Sequence, residues 1–248
     1  MPPFRWPSGM GRRVVRSQST EVCERSVPPI SRIPGDPEPL VPVLIDPLHP
    51  ERCSSEEFVR ATFARSYGAR LSSFYPLLLG IRRRPGVYEA VAGIRPAGGE
   101  ALFLEHYLDS PVERLLGVDR SRIVEIGNLS PAGAGQARWL ICMISAFLTG
   151  AGFFSVVFTA VPKLSNAFRR MGLPLRRLGD ARPDRLPVGV AEDWGTYYES
   201  RPAVFSGDLD LGFRAFAPVV KSRTDLRRIA CRAHALGRVF TDPREATE

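Results

Sequence analysis

The sequence predicts one soluble α/β domain over roughly residues 54–205, a twisted mixed sheet flanked by helices. Three observations carry this expectation. β-branched and aromatic runs alternate with turn chemistry, a glycine-bearing loop separates a strand-like run from a helical one, and 44% of the 248 residues are apolar, enough to bury a sizeable core.

The first fifty residues hold eleven of the 23 prolines, among them Pro28, Pro29, Pro34, Pro37 and Pro39, and show a period of neither 2 nor 3.6. Residues 1–50 therefore read as a disordered or extended leader, with Met10 as a second candidate start. After it, Ser54 and Glu57 stand at capping-box spacing and Phe58, Val59, Thr62, Phe63 and Tyr67 recur on one face, which predicts a helix over 55–67. Residues 77–81, 88–94 and 101–107 read as three strands, separated by Pro85-Gly86 and by Pro96 with Gly98 and Gly99, and the short links imply antiparallel pairing.

A fourth strand is expected over 123–129. Pro131, Gly133 and Gly135 then open a helix over 136–148, Gly150 and Gly152 close it, and residues 153–159 form a fifth strand. A strand, helix and strand in that order make a crossover that runs the fourth and fifth strands parallel. Another helix, over 163–171, stops at Gly172 with Pro174 beyond it. Residues 139–161 carry no charge, which is long enough to span a bilayer as one helix. Gly150, Gly152 and the polar Ser145, Thr149, Ser155 and Thr159 favour instead a buried helix feeding a buried strand.

A formal charge of +8 and a pI near 9.8 predict attraction to phosphates, anionic membrane or an acidic protein. The charge is concentrated: residues 163–185 carry net +5 and residues 211–240 net +6. In a C-terminal extension, 207–248, apolar Leu226, Ile229, Ala233, Leu236 and Phe240 alternate with Arg227, Arg228, Arg232 and Arg238. Residues 225–240 are thus an amphipathic basic helix, which either packs on the domain or makes a peripheral contact with anionic membrane. No basic segment leads into an apolar run at the N-terminus, and Cys23, Cys53, Cys142 and Cys231 are scattered without a CxxC pair, so a cytoplasmic location with free thiols is expected. With no HExxH or paired cysteines and three dispersed histidines, no metal is expected; with no G-x-S-x-G elbow, no hydrolase triad; and no motif suggests nucleic acid.

The order of elements resembles the GNAT superfamily of N-acetyltransferases. More closely, the strings YGARLSSFYPLLL, LFLEHYLDSPVE, IVEIGNLS, VVFTAVPKLSNAFRRMGL, LGDARPDRL and WGTYYESRPAVFSGDL, spread over 67–209, are similar to the thermostable hemolysin family, whose GNAT-like fold is related to acyl-homoserine-lactone synthases. The resemblance implies a GNAT-like domain over 51–206 and an acyl thioester donor, carried by coenzyme A or acyl carrier protein. In that superfamily the loop after the fourth strand holds pyrophosphate at a helix N-terminus; the matching donor-binding positions are Leu129, Ser130, Gly133, Gly135, Gln136 and Arg138, with Asn166 on the later helix. Two departures stand out: Ser130 replaces the usual Gln or Arg of the loop, and Phe168 replaces the Tyr that protonates the leaving thiolate.

Glu125, inside an apolar strand, matches the place of a general base, where partial burial would raise its pKa; the alternative is a structural ion pair with an arginine such as Arg138. Asn128 follows Gly127 at an expected bulge that splays the central strands, and backbone N–H groups around 128–130 would polarise the donor carbonyl. Glu105 and Asp109 are candidates for an amine-substrate site, with a turn at Ser110-Pro111 as the alternative for Asp109. Trp194, Tyr197 and Tyr198 read as core or rim. Arg169, Arg170, Arg176 and Arg177 could dock an acyl carrier protein. Three functions follow: an N-acyltransferase, a membrane-active protein, or an acyl-thioester-binding relative without turnover.

Overall fold

The computed structural model describes residues 39–133 and 135–241. Met10, Cys23, the prolines before Pro39 and the last seven residues of the extension lie outside the described residues. A seven-stranded sheet runs in the order β1-β2-β3-β4-β5-β7-β6. Its strands are β1 (Val41–Ile45), β2 (Leu77–Arg84), β3 (Val87–Pro96), β4 (Ile123–Pro131), β5 (Ser155–Ala160), β6 (Leu175–Asp180) and β7 (Ala203–Asp208). All neighbours are antiparallel except β4 and β5, which are parallel as the crossover requires.

The helices are α1 (Arg52–Tyr67), α2 (Val112–Leu116), α3 (Gln136–Gly150), α4 (Pro162–Arg170), α5 (Leu209–Ser222) and α6 (Thr224–Thr241). The uncharged run therefore resolves into α3 followed by β5, and among the described residues no helix is long and apolar enough to cross a membrane.

Three expectations are corrected. Residues 41–45, assigned to the leader, form edge strand β1 against β2, where Ile45 is buried with Val59 and Leu78. Pro42 is tolerated there because only an edge strand can spare an N–H. Residues 101–107, expected as a strand, form a 3-10 turn, Phe103–Tyr107. The N–H groups of Leu102, Phe103 and Leu104 go to the carboxylates of Glu105 and Glu125, so no ladder is left to make. Helix α1 starts at Arg52, ahead of the Ser54 and Glu57 pair, and its N-cap is Glu51 without a side-chain cap. Arg52 anchors that extra turn by bonding Glu56 and the carbonyls of Tyr75 and Pro76.

The largest core lies on the sheet face covered by α3, α5 and α6, and two smaller cores fill the opposite face. On α6, Leu226, Ile229, Ala230 and Ala233 are buried in the large core, and Leu236 and Phe240 pack against it. The basic helix thus spends its apolar stripe on the domain and leaves Arg227 and Arg228 outward. Trp139 Nε1 donates to Asp225 Oδ2 at 2.9 Å, tying α3 to the first turn of α6.

Candidate functional site

The site originates in a fault in the sheet. β4 and β5 pair from Ile123 with Ser155 to Ile126 with Phe158 and then part, although β4 continues to Pro131. On its other edge β4 bulges: its register with β3 jumps from Gly127 opposite Gly93 to Ser130 opposite Val91. Asn128, at φ 49, and Leu129 thus stand opposite the single residue Ala92, one residue more than the partner strand has. Positive φ in a non-glycine residue is backbone strain that persists only where surroundings hold it. Here Ser130 contributes, since its buried Oγ donates to the Asn128 carbonyl at 3.0 Å. That hydroxyl is fully buried and braces the bulge.

Two hollows meet at this divergence. On one face, Gly127, Asn128 and Leu129 form one wall of a cleft, Thr159, Ala160 and Val161 the other, and Phe63, Tyr67, Phe103, Trp194 and Tyr197 enclose it with Tyr75 and Tyr107. On the α3 face, an apolar hollow is lined by Ile144, Val156, Phe158, Phe168, Leu173 and Leu209 among others. Ile126 and Leu129 border both. Phe168, where a proton donor was missing, lies edge-on to Phe158 at 5.2 Å and serves as apolar lining.

Tyr75 is the feature that sequence reasoning missed. Gly93 and Gly127 face each other across β3 and β4, and the ring lies flat over both. A Cβ at Gly93 would sit 2.7 Å from Tyr75 Cγ, and one at Gly127 would sit 2.3 Å from its Cζ and 2.4 Å from its Oη. The paired glycines form a slot that lays the Tyr75 hydroxyl over Gly127, two residues from Glu125 on the same face of β4. The only sequence signal was two glycines in runs otherwise rich in β-branched residues.

Glu125 is 1% exposed. Its Oε2 accepts from the Phe103 N–H and its Oε1 from the Leu104 N–H, each at 2.9 Å. Burial raises its pKa above the usual carboxylate range, against the opposing pull of those two N–H groups, Tyr75 and Arg95. Burial, then Glu125 itself, pushes the Tyr75 phenol well above its ordinary value. The expected alternative, a pair with Arg138, is not made: Arg138 is exposed on the first turn of α3. Glu125 therefore both pins the Phe103 turn and holds a proton acceptor beneath the cleft.

The amine-site candidates behave differently. Both oxygens of Glu105 are held by Arg120, at 2.7 Å each, and also accept from the N–H groups of Leu102 and Val112. Burial would raise its pKa, but Arg120 and the two N–H groups overcome this and hold it at about 2. Asp109 is exposed and pairs with Arg185 at 2.5 Å. Neither lines the aromatic cleft. Because the folded pKa of Glu105 is depressed, its stabilisation is present above the ordinary glutamate range and is lost as the pH falls toward about 2. Screened by solvent, it amounts to about 1–2 kcal/mol. Thermal unfolding of Glu105→Gln should show a deficit at neutral pH that disappears near pH 2.

At the helix start, Gly135 is an N-cap with no side-chain bond, and the first turn of α3 holds no acidic residue. Gln136 Nε2 reaches Glu89 at 3.3 Å, and its N–H bonds the Gly133 carbonyl at 3.2 Å. Asn166 is exposed on α4 and accepts from Arg169 at 3.4 Å, away from the cleft. Of the expected site residues, the structure gathers Asn128 and Leu129 in the cleft, with Glu125 beneath it.

A family model described as thermostable hemolysin matches residues 45–213. Comparison with curated proteins finds no match. Among solved structures, TofI in a ternary complex with an inhibitor and MTA is 15% identical with a TM-score of 0.50, over 71% of this chain and 96% of that one. The acyl-homoserine-lactone synthase LasI is 12% identical with a TM-score of 0.50, over 72% and 95%. The coenzyme A-dependent acyl-homoserine-lactone synthase BjaI, with SAM and isopentyl-CoA, is 13% identical with a TM-score of 0.50, over 79% and 99%. At these identities the likeness is one of fold.

Proposed function

The chain belongs to the thermostable hemolysin family, and from that premise we propose that it is an N-acyltransferase, moving an acyl group from a coenzyme A or acyl carrier protein thioester to a small amine. The observation that carries this reading is the parting of β4 from β5 at the Asn128 bulge, with the Tyr75–Glu125 pair at its floor. The thioester lies against the Gly127–Leu129 backbone. Its acyl chain passes between Ile126 and Leu129 into the apolar hollow under α3.

The amine attacks the thioester carbonyl while an N–H proton passes to the Tyr75 oxygen and the Tyr75 proton to Glu125. Backbone N–H groups of the bulge polarise the carbonyl as its oxygen gains charge. The C–S bond then breaks and the thiolate leaves. With an ordinary thiol pKa of about 8.5, it departs without the tyrosine that Phe168 replaces. Gly133, Gly135, Gln136 and Arg138 at the open start of α3 meet the donor phosphate. Arg170 and Arg176, exposed beside Arg169 and Arg177, offer cationic contacts to an acyl carrier protein.

Incubation with radiolabelled acyl coenzyme A and acyl carrier protein and a panel of amines tests this reading, and acylated amine is the expected product. Val156→Phe, which fills the apolar hollow, should lower kcat/KM for long-chain donors at least ~10-fold while sparing short ones. Absence of any amide from every donor would end the proposal.

A further inference from the structure

The aromatic cleft also constrains the acceptor. Resting on the acyltransferase reading, we propose that the acceptor is a primary amine whose remainder is aromatic or apolar and carries no carboxylate.

Four observations lead there. Among the described residues that line the cleft, none bears a formal charge. Phe63, Tyr67, Phe103, Trp194 and Tyr197 form a continuous cluster, with Trp194 5.9 Å from both Phe63 and Phe103 and 5.2 Å from Tyr197. Such ring faces attract an ammonium and stack on a flat or apolar group, but offer a carboxylate nothing. Next, among the described residues of the cleft, the buried side-chain atom without a hydrogen-bond partner is Asn128 Oδ1, an acceptor. An amine N–H would satisfy it, and a carboxylate oxygen would be repelled by it.

Third, the polar groups of the lining are neutral. The Tyr107 hydroxyl is engaged with Tyr198 at 2.6 Å, and Tyr67, Thr159, Trp194 and Tyr197 can hydrogen-bond a ligand but carry no positive charge to neutralise a buried anion. Finally, the Arg95 guanidinium stacks on the Tyr75 ring, 5.0 Å from its centroid, pairs with Glu100, and does not line the cleft. The acidic pair suggested by sequence, Glu105 and Asp109, is spent on Arg120 and Arg185. An amino acid would therefore bury an unpaired carboxylate, whereas its decarboxylated amine would not.

Matched ligands isolate that one group. Phenethylamine, phenylalanine and phenylalanine methyl ester are titrated into the full chain, with tryptophan fluorescence as the binding signal. Trp194→Phe, which keeps an aromatic face, identifies the site by losing the signal. Phenethylamine and the ester should bind at least ~10-fold more tightly than phenylalanine, because only phenylalanine brings a carboxylate into the cleft. Equal or tighter binding of phenylalanine, or no binding of any of the three, overturns the inference. The same ligands are then offered as acceptors with acyl coenzyme A and acyl carrier protein. Amine binding without amide from any donor sinks the acyltransferase reading and leaves the amine site standing. Preferential acylation of phenylalanine does the reverse.

Discussion

Tyr75→Phe lowers the rate of acyl transfer at least ~100-fold with the fold intact, the lower end of what a positioned acid–base group contributes. The substitution removes one oxygen and keeps the ring that fills the slot over Gly93 and Gly127. Gly127→Ala produces the same loss by another route, since its methyl group would lie 2.3–2.4 Å from the outer edge of the Tyr75 ring and force it out. Glu125→Gln is less diagnostic. Both carboxylate oxygens accept backbone N–H groups, from Phe103 and Leu104, and an amide would set a donor against one of them. That variant disturbs the wall of the cleft as well as its chemistry. Steady-state transfer beside a thermal melt separates the cases: Tyr75→Phe should melt near the wild type, and a rate within threefold of it would remove Tyr75 from the mechanism.

Gly237→Ala should destabilise the protein by about 3 kcal/mol, although Gly to Ala inside a helix ordinarily stabilises by up to ~1 kcal/mol. Helices α3 and α6 cross with backbones in contact. A Cβ at Gly237 would lie 2.1 Å from the Phe147 carbonyl oxygen and 2.8 Å from the Ala151 nitrogen, and one at Gly150 would lie 2.3 Å from the His234 carbonyl oxygen. These are main-chain atoms that no rotamer change can move aside, so the helices must separate and loosen Leu226, Ile229 and Ala233 beneath them. For a domain of this size the loss corresponds to a fall in Tm of roughly 6–12 °C. An unchanged or raised Tm would mean that α6 sits further from α3. The result also bears on membrane activity, since a helix bound to its domain this closely must unpack before its apolar stripe meets lipid.

The central elements were legible where local chemistry and tertiary packing agree. β4, the glycine loop, α3 and β5 were placed because a strand, breaker, helix and strand each carry their own pattern, and Asn128 after Gly127 announced the bulge. Residues 101–107 were misread because their apolar spacing suits a strand equally well. Their conformation is set by two carboxylates, one from β4, which no local window contains. β1 was hidden by proline content, which marks an edge strand as readily as a leader. At the site, Glu125 was conspicuous as a charge in an apolar run, but its partners came from residues 21 and 22 positions away in place of an arginine. Tyr75 gave no signal of its own, because its role depends on two glycines that become neighbours only when β3 pairs with β4. Glu105 and Asp109 looked available for a ligand because sequence spacing does not reveal that Arg120 and Arg185 fold onto them.

The most direct measurement is a crystal structure with a 2-oxoalkyl coenzyme A, a ketone analogue in which a methylene between carbonyl and sulfur prevents cleavage by an amine. The expected pose has the carbonyl against the backbone of Asn128 and Leu129, the acyl chain between Ile126 and Leu129 under α3, and the open face of the carbonyl toward the Tyr75 hydroxyl. An analogue seated elsewhere, with β4 and β5 closed on each other and the aromatic cleft unchanged, would contradict it.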